Sequence, residues 1–376
     1  MSTARGFDDS ELRDAVAGYG KRSSRIANPQ SHRERRIAAL EQWKGLVEHG
    51  LAGVGVPETL GGCGGSIIDA GTVAEHMGAM MLESPFIPVT ALAGRLLMEL
   101  AANENGVSLL RSMLRGDTVT VFAHAERGMT RRGECVDTRA QIMSDGTYRL
   151  NGSKIAVMHA SLADSFVISA RICDKKPGGD GIGLFALKSQ APGVALRSYF
   201  LIDGSPAGDL DLTQVPVDRR QFIGSGFVPL EAIHRASEYA TMCAGAEIIG
   251  IMDGLLTESK EYMRLRRQYG GPLASFQALR HRFVEMWAAV ELSRSLMQQS
   301  MKALARGPAE SARKEVRAAM AKALSAASFV TSQAIQLHGA IGVTAEHRAA
   351  KCFRRVRVLA ELFGNRDAQL EWYEIC

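Results

Sequence analysis

No uninterrupted apolar run in this sequence approaches the ~18 residues that a membrane-crossing helix needs, and the opening MSTARGFDDSELRD holds no apolar segment of the signal-peptide kind. A soluble cytoplasmic protein with no membrane partner is expected. Paired cysteines are missing too: Cys63, Cys135, Cys173, Cys243, Cys352 and Cys376 form no Cys-x-x-Cys motif and no His/Cys cluster at zinc spacing. That spacing supports neither a disulfide framework nor a metal site, and the six read as reduced thiols. There is no lysine- or arginine-rich block either. A formal charge of only +5 argues against a nucleic-acid partner and for an anionic small molecule.

What is present is material for a core. Apolar residues make up 46% and charged residues 23% of 376, so the chain should fold, and its length calls for two or three packed layers or subdomains. Three rhythms divide it. Residues 1–117 read as a helical domain, with apolar positions recurring at three and four in segments such as ERRIAALEQWKGLVEHG. The density of proline and glycine in VPETLGGCGG, residues 56–65, predicts a surface connection.

Residues 118–230 change to short runs rich in Val, Ile, Phe and Leu, such as TVTVFAHA and SFVISAR, broken by turn signals that include Asp145-Gly146. Such short, turn-punctuated runs predict a central antiparallel β-barrel or sandwich rather than a parallel sheet with helical crossovers. Residues 231–376 return to long helices, at about 231–268, 273–305 and 309–338 (introduced by Gly307-Pro308), with a last one after Gly342. Four long helices with short connections predict a C-terminal four-helix bundle, and the whole an α+β multidomain fold.

Several stretches resemble one known family. YMRLRRQYGGPLASFQ at 262–277 and QLHGAIGVTAE at 336–346 look like the Arg-x-Gln-Phe-Gly plus Phe-Gln and the Gln-Leu-His-Gly-Gly segments of acyl-CoA dehydrogenases. AHAE at 123–126 resembles that family's Thr-Glu-Pro loop, LNGSK at 150–154 its Leu-Asn-Gly-x-Lys strand, and GVPETLGGCGG its Pro-Glu-x-x-Gly-Gly loop. The wording of AHAE, SFVISAR, MCAGAEIIGIM and FQALRHRFVEM is most similar to the pimeloyl-CoA dehydrogenase small-subunit and heteromeric branch.

The resemblance implies α,β-desaturation of an acyl-CoA thioester, with FAD held at a subunit interface of a dimer or tetramer. Electrons would pass to an electron-transfer flavoprotein or similar acceptor, in fatty acid or steroid degradation. Homo-oligomers and hetero-oligomers with a homologous subunit both occur in such a family. By the same resemblance, Arg266 would reach the FAD pyrophosphate, which suits a guanidinium fork, and Gln268 and Tyr269 would flank the cofactor. Gln336 and Gly339 would meet it from the partner chain, the bare glycine allowing close backbone approach. Phe122, His124, Ala125, Val157 and Met158 would lie on the flavin side of the β-domain, with His159 as further packing. Without the resemblance, Arg266 reads as one of a solvated cluster with Arg264 and Arg267.

Three departures stand out. The hydroxyl of Thr-Glu-Pro is lost in Ala125-Glu126-Arg127, and Ala156-Val157-Met158 replaces the family's Trp-Ile-Thr. Where many members carry the base in Tyr-Glu-Gly-Thr, this chain has Phe363-Gly364-Asn365-Arg366, and the alternative base position, counted back from Gly250, is Ala240. Glu247, among the small and apolar neighbours of MCAGAEIIGIM, is the motivated candidate for catalytic base, since proton abstraction wants a carboxylate in an apolar surround. The reading that weighs more is a buried structural glutamate bonded to an arginine or a backbone group; Glu361 and Glu238 are the remaining candidates. Three functional readings stay open: a dehydrogenase with an unusual base, a non-catalytic subunit of a heteromeric dehydrogenase, and a redox-silent acyl-CoA-binding protein.

Overall fold

The protein is described by a computed structural model covering residues 7–23, 32–128, 136–173, 181–224, 227–307, 310–344 and 347–375. Cys135, Cys376, Pro308 and residues 345–346 of the QLHGAIGVTAE stretch lie outside the described residues. The order of elements is helical, then β, then helical, as the three rhythms predict.

The opening helices are α1 (Asp9–Ser23), α2 (His32–Glu48), α3 (Ile67–Met80), α4 (Arg95–Glu99) and α5 (Glu104–Leu114). Asn103 starts α5 by accepting the N–H groups of Asn105 and Gly106 at 3.0 and 3.1 Å, which satisfies two donors that a helix start leaves open. Residues Phe86–Gly94 form a wide π-helical stretch that runs into α4. Pro88 removes one donor there, and nothing in the sequence pattern announces the wider turn. Half of the Pro/Gly-rich loop is exposed and only Val56 is buried, as a surface connection should be, with a short turn at Glu58–Leu60.

By packing, the chain resolves into two compact units, each assembled from separate stretches. One gathers residues 17–66 and 84–240; the other gathers 7–16, 67–83 and 241–376.

The first unit holds the β-structure: β1 (Thr120–Ala123), β2 (Arg139–Ile142), β3 (Tyr148–Met158), β4 (Ser165–Cys173), β5 (Gly181–Lys188), β6 (Val194–Phe200), β7 (Pro206–Val217) and β8 (Phe222–Gly224). They form one open, sandwich-like sheet in the order β6-β7-β3-β2-β4-β5-β8. Most pairings are antiparallel. β4, however, is flanked in parallel by β1 along its first half and by β2 along its second half. Among the described residues the crossovers that parallel pairing requires contain strands and the short Ala160–Leu162 turn but no long helix, which is why short runs did not signal them. β4 is buried along most of its length, as a central strand should be.

The second unit contains α3 and a helical bundle. The bundle helices are α6 (Phe227–Leu265), α7 (Gln277–Ala305), α8 (Glu310–His338), α9 (Arg348–Phe363) and α10 (Arg366–Ile375). α8 packs against α7, α9 and α10. α6 begins before Pro229, because a proline is tolerated in a first helical turn whose N–H groups have no partner anyway. It ends at Leu265, where the chain turns into a hairpin of β9 (Arg267–Gln268) and β10 (Gly271–Pro272). Most of Pro229–Leu265 is buried, so the apolar character of this helix serves the core.

α3 reaches the bundle through glycine. A Cβ on Gly78 would fall on the carbonyl oxygen of Glu247, and one on Gly250 would fall on that of Glu75. At this crossing α3 and α6 therefore touch backbone to backbone.

Candidate functional site

In the first unit, β1 and β3 pack together and bring the motif residues to one region. Phe122 and His124 alternate along the chain and so share a face; their rings stack at 5.3 Å. His124 Nδ1 lies 2.8 Å from the Ser169 hydroxyl, and Ala125 accepts the N–H of Ile155 at 2.8 Å. Ala125 is exposed, Val157 buried and Met158 half-buried, while His159 is buried at the end of β3.

Glu126 points inward. Its carboxylate accepts from the Thr138 hydroxyl at 2.6 Å, from the N–H groups of Asp137 and Thr138 at 2.6 and 3.1 Å, and from Lys154 Nζ at 2.5 Å. Lys154 completes its donors on the Ser169 hydroxyl at 3.0 Å and the His124 carbonyl at 3.2 Å. Burial alone would raise the Glu126 pKa, but the charge and hydrogen bonds of Lys154, with those of Thr138 and Asp137, hold it below the ordinary value. Burial pulls Lys154 down to about 8, against the opposing pull of Glu126. The pair has every group satisfied and belongs to the fold.

A network absent from the sequence reading supports the Ala156-Val157-Met158 segment. Asp209 on β7 accepts from the Ala156 N–H at 3.1 Å, from the Tyr199 hydroxyl at 2.7 Å and from Arg197 at 2.5 Å. Burial favours a raised Asp209 pKa, yet these hydrogen bonds and the Arg197 charge leave it lowered. Ala156 is thereby held at φ +51°, a left-handed conformation costly for a residue with a Cβ. No signal in the alternating run DLDL distinguishes Asp209 from its neighbours.

In the second unit, Arg266, Gln268 and Tyr269 sit at the end of α6 and in the β9–β10 hairpin. Tyr269 and Gly270 have φ of +50° and +85°, the two left-handed residues that a tight hairpin needs. Arg266, Gln268 and Tyr269 are all exposed, Tyr269 by 90%. Arg264 pairs with Glu261 at 3.2 Å, whereas the Arg266 side chain has no hydrogen-bond or ion-pair partner among the described residues. Gln336 is exposed on α8, and Gly339, at φ +68°, has open space where a side chain would project. An unpaired guanidinium, an exposed amide and a bare stretch of backbone form a donor set suited to an anionic diphosphate, so these residues fit the FAD role that the resemblance implies.

Glu247 is 9% exposed, and Arg355 engages both of its oxygens, Nε to Oε1 at 2.6 Å and Nη2 to Oε2 at 3.1 Å. This is the arginine-paired arrangement rather than a carboxylate in an apolar surround. Arg355 lies 108 residues away in sequence, beyond any local pattern. Glu361 is exposed and Glu238 is buried. At the other base position, Gly364 lies at φ +91° beside the Trp372 ring, Asn365 accepts the Ala368 N–H at 3.0 Å to start α10, and Gln369 donates to the Phe363 carbonyl at 2.6 Å. That turn is built from amides and backbone and carries no carboxylate.

Comparison with known proteins places this geometry. Residues 8–117 match the model of the acyl-CoA dehydrogenase N-terminal domain, and residues 230–373 match that of the C-terminal domain. Acyl-CoA dehydrogenase IpdE2 of Mycolicibacterium smegmatis is 26% identical over 368 residues, 96% of either chain. Butyryl-CoA dehydrogenase from Megasphaera elsdenii has a similar structure, with a TM-score of 0.84 at 22% identity over 100% of this chain and 99% of that one. A chain of the ChsE4-ChsE5 complex from Mycobacterium tuberculosis superposes with a TM-score of 0.79 at 23% identity, covering 97% of both. With both terminal domains matched by family models and the same architecture in solved structures, the chain belongs to the acyl-CoA dehydrogenase family.

Proposed function

We propose that this chain is an FAD-binding subunit of a heteromeric acyl-CoA dehydrogenase, in which a homologous second chain supplies the base that removes the α-proton of the thioester. One observation carries the reading: both oxygens of Glu247 are taken by Arg355, while the two other base positions hold Gly364-Asn365 and Ala240. No candidate among these combines the freedom and the setting that proton abstraction needs. The likeness to a chain from the ChsE4-ChsE5 complex supports an assembly of unlike chains.

Within this reading Arg266 grips the cofactor diphosphate, Gln336 donates its amide, and Gly339 lets backbone approach. FAD, when bound, supplies the acceptor for the β-hydride. Phe122, His124, Ala125, Val157 and Met158 form the β-domain side, where Ala156 stands at the position of the tryptophan in the family's Trp-Ile-Thr. The electron acceptor is an electron-transfer flavoprotein or an equivalent carrier, and the sub-branch resemblance favours a bulky or dicarboxylic acyl-CoA.

The test is to purify the chain alone and with a co-expressed homologous dehydrogenase chain, then measure flavin absorbance and acyl-CoA-driven dye reduction. Full flavin content and turnover are expected only for the pair. A homo-oligomer of this chain with full activity by itself would overturn the reading.

A further inference from the structure

Three polar side chains from separate helix ends converge in the second unit. Glu258 lies on α6, His338 closes α8 and His347 precedes α9; one ligand atom from each comes within 4.8 Å of the others. Three buried atoms at this place make no hydrogen bond to another described residue: Glu258 Oε2, His338 Nε2 and Arg348 Nε. Buried polar atoms are normally satisfied; the Arg348 Nε–H, a donor, faces Glu258 Oε2 at 3.9 Å, which leaves the acceptors Glu258 and His338 Nε2 as groups a cation could satisfy.

The neighbours fix the tautomers. His338 Nδ1 lies 2.8 Å from the Ala334 carbonyl, which only accepts, so Nδ1 carries the proton and Nε2 presents its lone pair. The ring is 4% exposed and packs against Tyr262 at 4.5 Å, while the Tyr262 hydroxyl donates to the His338 carbonyl at 3.3 Å. A backbone carbonyl on one nitrogen and a free lone pair on the other is the orientation that protein zinc sites impose on their histidines. Glu258 turns Oε1 toward His347 Nε2 at 3.7 Å and leaves Oε2 toward Arg348 at 3.9 Å, so one oxygen can ligate while the other faces a guanidinium.

We propose that Glu258, His338 and His347 form a binding site for one divalent transition-metal ion of the zinc class. Two imidazoles and a carboxylate make a borderline donor set, poor for magnesium or calcium and well matched to zinc, cobalt or nickel. Ligation moves the His347 proton from Nε2 to Nδ1 without net proton release. It also breaks the 3.1 Å bond from the Ala349 N–H to Nδ1 that caps α9, a cost of about 1 kcal/mol that metal coordination exceeds. The ion would clamp the Gly339–Val343 turn, which follows Gln336 and carries Gly339, onto α6. This inference does not depend on the flavin reading.

The experiment uses the full chain, stripped with a chelator and titrated with zinc chloride by calorimetry, with cobalt(II) absorption as a second readout. One saturable site per chain is expected, with a melting temperature that rises on zinc addition. His338→Gln should weaken zinc binding at least ~10-fold and abolish the cobalt ligand-field band. Glu258→Gln, at a half-buried position that tolerates an amide, should also weaken binding and keeps the test decisive should the histidine variant misfold. Equal zinc binding by wild type and both variants, which would point to thiols such as exposed Cys63, or no saturable binding at micromolar zinc, overturns the proposal.

Discussion

In the first compact unit the Glu126–Lys154 pair of the family pattern faces inward; in the second, Arg266 faces out. Glu126 and Lys154 are buried, pair with each other and find their other partners in Asp137, Thr138, Ser169 and the His124 carbonyl, so they hold the β-structure together whether or not anything binds. Arg266, Gln268, Tyr269 and Gln336 contribute little to their own unit and lie open. The contrast teaches that one recurring sequence pattern can mix two kinds of residue, those enclosed in the scaffold and those left open at the surface. Only geometry separates them.

Breaking the inward pair should give the largest effect. Glu126→Gln leaves the Lys154 ammonium buried without a carboxylate and is expected to cost about 3–5 kcal/mol, read as a lowered denaturation midpoint. In the wild type the folded pKa of Glu126 lies below its unfolded value of 4.5. Its stabilisation is therefore complete above that pH and is lost as pH falls through the folded value, a slope that the variant should lack. A variant as stable as wild type would erase the contrast.

Glu247→Gln comes next, at about 2–3 kcal/mol, because its ion pair with Arg355 is partly open to solvent. Turnover of the assembled complex should hardly change. A fall of ~100-fold in turnover with the fold intact would instead identify Glu247 as the base and sink the heteromeric reading.

Arg266→Gln should do the reverse of both. Flavin affinity falls by about 1.5–3 kcal/mol, measured by FAD titration of the complex, while unfolding of the chain alone shifts by less than ~0.5 kcal/mol. The smallest effect sharpens the comparison inside the first unit. Ala156→Gly relieves a left-handed backbone and should stabilise by about 0.5 kcal/mol in chemical denaturation, after the entropy that glycine adds to the unfolded chain is subtracted.

Much of this was legible beforehand. Apolar spacing located the helices at 277–305 and 310–338 to within a few residues, because long amphipathic segments repeat their signal many times. It missed the parallel flanks of β4, since strand pairing is a long-range choice that no single run encodes, and it missed the π-helical stretch around Pro88. The position of Arg266 came from motif resemblance, while its lack of a partner among the described residues is a property of the folded chain. Asp209, Arg355 and the grouping of Glu258, His338 and His347 were invisible, because each depends on a partner in another element, such as Ala156 for Asp209 and Glu247 for Arg355, and nothing local marks them.

The glycine crossing of α3 and α6 has a consequence for how such a bundle can vary. With main chain resting on main chain at Gly78 and Gly250, the spacing of the two helices is already at its minimum and cannot be tuned by exchanging side chains there. Any widening or reshaping of this part of the molecule during divergence must come from residues a turn or more away, so the crossing acts as a fixed pivot around which the rest can drift.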